Sequence, residues 1–245
     1  MSVWSLSAVS ETITMAAASD LRFALDDIVA QYQTHHGNAS IRVIYGSSGK
    51  MTTQIRHGAP YDLFFSADIR FPETLYHDGF AVTTPSVYAL GRIVLWSARH
   101  DVTDLSLEDL TSPMFRRIAI AQPEHAPYGM RAKEALLASG VWPKIEHKLV
   151  YGENIAQTAQ MAESGAADVA IIALSLALFP RLAERGYVLI DESLHQPLTQ
   201  GYVITRHGAD NPLAEQFAQF MKTDTAHRIM QHYGFIMPSS DTHSD

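Results

Sequence analysis

The sequence predicts an α/β fold in which a largely parallel sheet is covered by helices on both faces. Two observations point there. Short β-branched runs alternate with amphipathic helical stretches through most of the chain, the pattern of strand–helix–strand units. Several runs also end in small or hydroxyl residues that lead directly into a helix, where the functional loops of such folds gather. The chain has 245 residues, 47% of them hydrophobic, enough for a sizeable core in one large domain or two smaller ones.

The elements follow in order. In "ITMAAASDLRFALDDIVAQYQ" residues 13–15 read as a buried strand, and "AAAS" then passes into a helix without Gly or Pro. From Leu21, apolar residues recur at Ala24, Leu25, Ile28, Val29 and Tyr32, one helical face, with Ser19 as its expected N-cap. "SIRVIYG" and "DLFFSAD" are strands, followed by helices over 50–57 and 70–78. "RIVLWSA" and "RIAIAQP" are strands around a short helical piece at 106–110. "YGMRAKEALLASGVW" is a helix entered through Pro127 and stopped at Gly140. "HKLVYGE", "ADVAIIALS" and "QGYVITR" are strands, "NIAQTAQMAESG" is a helix, and two helices over 212–223 and 225–233 close the chain. The final "SSDTHSD" reads as a polar, frayed tail.

Composition excludes several classes. Lys and Arg number 18 against 26 Asp and Glu, a net charge of -8, which repels a nucleic-acid backbone or an anionic lipid surface. An anion site here must therefore work through local groups. Cysteine is absent, so disulfide and thiolate chemistry are excluded while the compartment stays open. No stretch approaches the roughly 20 apolar residues that span a bilayer. The opening "MSVWSLSAVSET" lacks the features of a leader, as expected of a cytoplasmic chain or of a mature form whose leader is gone. The twelve His are scattered without metal spacing, and Trp4 falls in no predicted element.

Three strand ends share one pattern: "AAAS", "YGSSGK" and "YGENIA" each deliver a small or capping residue to the first turn of a helix. A helix start leaves four amides unpaired and carries positive partial charge, so it holds an anion without Lys or Arg. Hydroxyls of Ser19, Ser47 and Ser48 add donors, and Ala17 and Ala67 let backbone approach closely. A site made of donors suits a fully ionised tetrahedral oxyanion, whereas phosphate near neutrality keeps a proton that wants a carboxylate acceptor. Asp20 and Asp68 are expected outside such a site, complementing helix dipoles.

Rival motifs fail on their chemistry. "YGSSGKM" is not a nucleotide phosphate loop, because Met51 stands where a metal-coordinating hydroxyl belongs. No GxSxG elbow occurs, and His57 has no evident partner to orient it as a base. Lys50 could neutralise ligand charge, although it reads equally as a solvated first-turn side chain. Phe23, Phe64, Phe65, Phe71, Trp96, Trp142, Phe217 and Phe220 read as core.

Four blocks, "AAASDLRFALDDIVAQY", "YGSSGKMTTQIRHGAPYDLFFSAD", "AQPEHAPYGMRAKEAL" and "LTQGYVI", resemble the molybdate-binding proteins of bacterial ABC importers, which also take tungstate. The resemblance runs from about Glu11 to Pro238, and "GAPYDLFFSAD" is its strongest piece. It implies a two-lobed periplasmic-binding fold of type II, each lobe a mixed, mostly parallel sheet, with the anion in the cleft. Lobe one is expected over 11–87 plus 202–238 and lobe two over 88–201, with crossings near 89–91 and 199–202. It implies ligand contacts from Ala17, Ser19, Ser48 and Ala67 in lobe one and from the amide of Ile155 in lobe two. Ala173 stands where the family often has a tyrosine, with Ser175, Tyr128 and Tyr151 as neighbouring substitutes. No cofactor, catalytic residue or side-chain metal ligand is implied, because molybdenum or tungsten would arrive as the oxyanion. The expected role is an extracytoplasmic, monomeric solute-binding subunit that closes over its ligand and serves a membrane permease. A binder of sulfate or another tetrahedral oxyanion is the related alternative, and a two-lobed enzyme or sensor the unrelated one.

Overall fold

A computed structural model describes residues 12–238, so Trp4 and the tail from Ser239 lie outside the described residues. Two sheets organise the chain. The strands are β1 Thr12–Ala18, β2 Ser40–Gly46, β3 Leu63–Ser66, β4 Ser86–Gly91, β5 Ile93–Trp96, β6 Ile118–Ala121, β7 Leu149–Gly152, β8 Val169–Ala173, β9 Val188–Leu189 and β10 Leu198–Ile204. The first sheet runs β2-β1-β3-β10-β4 and the second β7-β6-β8-β5-β9. In the first, β1 is parallel to both β2 and β3, while β10 is antiparallel to β3 and β4. In the second, β6 is parallel to β7 and β8, while β5 is antiparallel to β8 and β9. Each lobe is thus a parallel half joined to an antiparallel half, a mixture that helix–strand alternation alone does not reveal.

The helices are α1 Arg22–His35, α2 Ser48–Arg56, α3 Arg70–His77, α4 Pro127–Ala138, α5 Trp142–Ile145, α6 Ile155–Glu163, α7 Leu174–Ala177, α8 Pro180–Ala183, α9 Pro212–Phe220 and α10 Asp224–His232. Pro127 opens α4, where its missing N–H costs nothing. Gly140 follows its end at φ +69, the left-handed geometry that glycine adopts without a Cβ clash.

The residues at both expected crossings are strand residues of the first sheet. β4 and β10 pair with each other, Leu198 opposite Gly91 and Gln200 opposite Ala89, so residues 88–91 and 198–201 belong to the first sheet. The chain leaves that sheet at Arg92 and returns through residues 190–197. β4, legible in sequence only as a loop-like stretch, is the partner that holds the return strand in place.

Phe65 and Phe217 are fully buried in the first core and Trp96 and Phe115 in the second. Phe64 is fully buried in a smaller cluster on the other face of the first sheet. Phe23, Phe71 and Phe220 are partly buried against these cores, in keeping with a packing role. The second core also takes in Ala18 and Ala67 from the first sheet. These small residues are where the lobes meet.

Candidate functional site: the junction between the lobes

β1 delivers Ala17, Ala18 and Ser19 to the junction. Ala17 is paired with Tyr45 and Phe65 and packs in the first core, while Ala18, on the opposite face of the strand, packs against the second. Ser19 opens a 3-10 turn, Ser19–Leu21, and forms no side-chain cap on α1. Its hydroxyl is used elsewhere. It accepts from the amide of Ala156 at 3.2 Å and donates to Asn154 Oδ1 at 3.1 Å, both on the second lobe. Asn154 caps α6, accepting from the Gln157 amide at 3.0 Å. Ser19 and the start of α6, expected to approach an anion from opposite lobes, are thus in direct contact with each other.

β2 and β3 supply a second pair. Ser48, the first residue of α2, is fully buried, and its Oγ accepts from the Ala67 amide at 3.1 Å. The hydroxyl proton of Ser48 has no acceptor among these bonds, so it is available to an anion. Ile155 is buried at the first turn of α6.

A clasp joins the lobes beside this pair. Ser47 Oγ lies 2.9 Å from His125 Nδ1, and the Gly49 amide donates to the His125 carbonyl at 2.9 Å. A Cβ on Gly49 would sit 2.8 Å from that carbonyl oxygen, so backbone approaches here as only glycine allows. Lys50 reaches Glu153 at 2.5 Å, with both side chains about half exposed, and so guides the lobes more than it holds them. Burial, and next the charge of Lys50, lower the His125 pKa and favour its neutral ring.

Asp20 and Asp68 are not outside the junction as expected. Asp68 is buried and bound by Arg70 at the start of α3 and by Arg131 of α4, whose Nη2 lies 3.1 Å from Oδ2. Asp20 accepts from Tyr128 Oη at 2.9 Å and from Gln200 Nε2 at 2.8 Å, while Ser175 Oγ donates to its carbonyl at 2.8 Å. Both aspartates are drawn inward because the second lobe presents donors to them. Two of the proposed substitutes for the missing tyrosine, Tyr128 and Ser175, thus lie in the junction, whereas Tyr151 is 45% exposed.

Ala173 ends β8 opposite Ile93 and is fully buried in the second core. Ala173→Tyr should overpack this position at about 1–3 kcal/mol and weaken oxyanion binding along with thermal stability. Melting and calorimetry on one preparation check this, and a gain in molybdate affinity with an unchanged melting temperature would contradict it.

Ser19, Asn154 and Ala156 also border a cavity of about 370 Å³ that extends to Arg22 and Tyr45. A cavity of about 580 Å³ beside α9 is lined by none of the expected site residues. Among the described residues, no group of three or more His, Cys, Asp or Glu is placed to hold a metal ion, and no helix is long and apolar enough to cross a membrane.

The family model of bacterial extracellular solute-binding proteins matches residues 13–236. The chain belongs to this family. Solute-binding proteins similar to it include the molybdate-binding protein ModA of Azotobacter vinelandii, 32% identical over 225 residues, 91% of this chain and 89% of the relative. ModA of Rhodobacter capsulatus is 32% identical over 232 residues, 94% of this chain and 90% of the relative. Among solved structures, the Azotobacter vinelandii periplasmic molybdate-binding protein superposes with a TM-score of 0.86 at 31% identity, covering 92% of this chain and 99% of that one. The sulfate-binding protein SubI of Mycobacterium tuberculosis, at TM-score 0.78 and 12% identity, shares the fold alone. Solute-binding proteins of this architecture are two lobes around a cleft, and the family is one of binding proteins, not enzymes.

Sequence reasoning missed Asn154, the Ala156 amide, Gln200 and Arg131. Asn154 was legible as a helix cap, but its second partner lies 135 positions away in the chain.

Proposed function

We propose that this chain is the extracytoplasmic solute-binding subunit of an ABC importer, capturing molybdate or tungstate between its lobes and presenting it to a membrane permease. The observation that carries the reading is the set of uncharged donors at the junction: Ser19 of the first lobe on the start of α6 of the second and, within the first lobe, Ser48 on the Ala67 amide. The ligand set is Ala17, Ser19, Ser48, Ala67 and Ile155, with the lobes dividing at Arg92 and within 190–197. Relatives named as molybdate-binding, 32% identical over nine-tenths of the chain, support the choice of anion. Both halves of the site come from one polypeptide, so a monomer suffices.

Selectivity follows from donors and size. Asp68 is neutralised by two guanidinium groups, and Asp20 Oδ2 is taken by Tyr128 and Gln200, which leaves Asp20 Oδ1 as a carboxylate oxygen without a partner at the junction. A dianion that only accepts suits the hydroxyl and amide donors, and hydrogen phosphate is disfavoured so long as its own proton does not reach Asp20 Oδ1. Molybdate and sulfate carry equal charge, so the cleft must separate them by size. Calorimetric titration with molybdate, tungstate, sulfate and phosphate under one set of conditions should rank the first two well ahead of phosphate. Equal or tighter phosphate binding would end the assignment, and a sulfate preference would move the chain to sulfate capture.

A further inference from the structure

Among the described residues, no cation faces Asp20 at the junction. This aspartate is 1% exposed, and Oδ1 has no hydrogen-bond partner. Oδ2 is held by Tyr128 and Gln200, and Gln200 is itself fixed by Tyr88, whose hydroxyl donates to Gln200 Oε1 at 2.6 Å. The side chains that close over Asp20 are a 3-10 turn's own neighbours, Tyr128 of α4, Ser175 of α7, and Gln200 and Tyr88 of the two crossing strands. All are neutral, and burial holds both phenols well above their usual range, so they stay so. Charged groups on the same elements are engaged elsewhere: Arg131 with Asp68 and Glu134, and Arg92 with Glu192. Arg22, Asp26 and Asp27 follow on α1 and make no contact with the Asp20 carboxyl.

Much of this burial comes from the second lobe. Tyr128 and Ser175 leave Asp20 when the lobes part, and water replaces them. An ionised carboxylate in the closed junction therefore loses hydration, gains no counter-charge, and must share the cleft with a dianion. A proton on Oδ1 removes the charge on which all three penalties act. We propose that Asp20 couples capture to protonation: as the lobes close over the oxyanion, one proton passes from solvent to Asp20 Oδ1, and it returns to solvent when they open. This rests on the capture reading above.

The direction agrees with the electrostatics. Burial raises the Asp20 pKa to about 6, against the opposing pull of Gln200, Tyr128 and the Asp20 and Leu21 amides, neither of which closes a hydrogen bond of ordinary geometry on Oδ1. Opening hydrates the carboxyl and brings it back down toward the ordinary carboxylate range. The raised value belongs to the closed form, so the closed form is favoured below it, and that advantage is lost as pH rises through about 6.

Calorimetry with micromolar molybdate, in pairs of buffers that differ in ionisation enthalpy, reads the proton directly. Uptake should be most of a proton per anion at pH 5 and little at pH 7, with affinity up to about tenfold higher at pH 5. Asp20→Asn should abolish the uptake and flatten the affinity against pH. Tyr128→Phe, which keeps the carboxyl but removes a donor to its ionised form, should move the window to higher pH. Binding without uptake, uptake that survives in Asp20→Asn, or an unmoved window in Tyr128→Phe overturns the coupling while leaving capture intact. No molybdate binding at any pH overturns both.

Discussion

Arg131→Met should weaken molybdate binding by roughly thirty- to a hundredfold, about 2–3 kcal/mol. Arg131 and Asp68 are each 4% exposed in their side chains and lie on opposite lobes. Removing the cation from a buried pair strands its partner, typically at about 3–5 kcal/mol. Arg70 also reaches Asp68, but from a side chain 59% exposed, so it softens the loss without replacing the guanidinium. Opening the lobes hydrates Asp68 and relieves the penalty. The cost therefore falls on the closed form, and it reads out as affinity more than as stability. Calorimetry measures the first effect, and small-angle scattering should find the variant more expanded than the parent at equal subsaturating molybdate. Adding Asp68→Asn should restore most of the affinity, because no buried charge is then left alone. If Arg131→Met binds like the parent, the pair is structural within one state of the protein and does not set the closing equilibrium.

The elements were legible because their local signals agree. β1 ends in three alanines, α4 has proline at its start and glycine beyond its end, and α10 shows a clear polar and apolar face. Strand direction was not legible. β10 and β5 are antiparallel because each enters its sheet just beside a lobe crossing, a fact about distant parts of the chain that no local periodicity records. β4 was missed for a related reason: Tyr88, Ala89 and Gly91 are buried in it, but Gly91 and the proline at 85 dilute the strand pattern.

For the candidate site, residue types were readable and pairings were not. Small and hydroxyl residues at strand ends announced donors, and the structure brings Ser48 to Ala67 and Ser19 to the start of α6. What the sequence hid is where the aspartates turn. Asp68 looked like a helix-start acid, and its fate depends on Arg131, 63 positions later. Asp20 depends on Tyr128 and Gln200, 108 and 180 positions away. Long-range polar pairing of this kind fixes how the lobes meet, and nothing in the spacing along the chain encodes it.

Ser48→Ala should cost more affinity than Ser19→Ala, and the hydrogen bonds already present in the junction say why. Ser48 Oγ accepts from the Ala67 amide and keeps its proton, so it can donate to a charged oxygen with no competing acceptor. Such a bond contributes about 1.5–3 kcal/mol, tenfold to a hundredfold in affinity. Losing the oxygen also leaves the buried Ala67 amide to find another acceptor, which holds the effect toward the upper end. The proton of Ser19, in contrast, is already given to Asn154 Oδ1. To serve an anion it must leave that acceptor, so the exchange gains only about 0.5–1.5 kcal/mol, tenfold or less. Neither change removes a helix cap, since Ser19 makes no cap bond to α1 and Ser48 lies inside α2. Melting temperatures without ligand should therefore move little in Ser19→Ala, and any large drop would assign that serine to folding. Equal affinities for Ser48→Ala and the parent would place the anion away from α2 and remove Ser48 from the site.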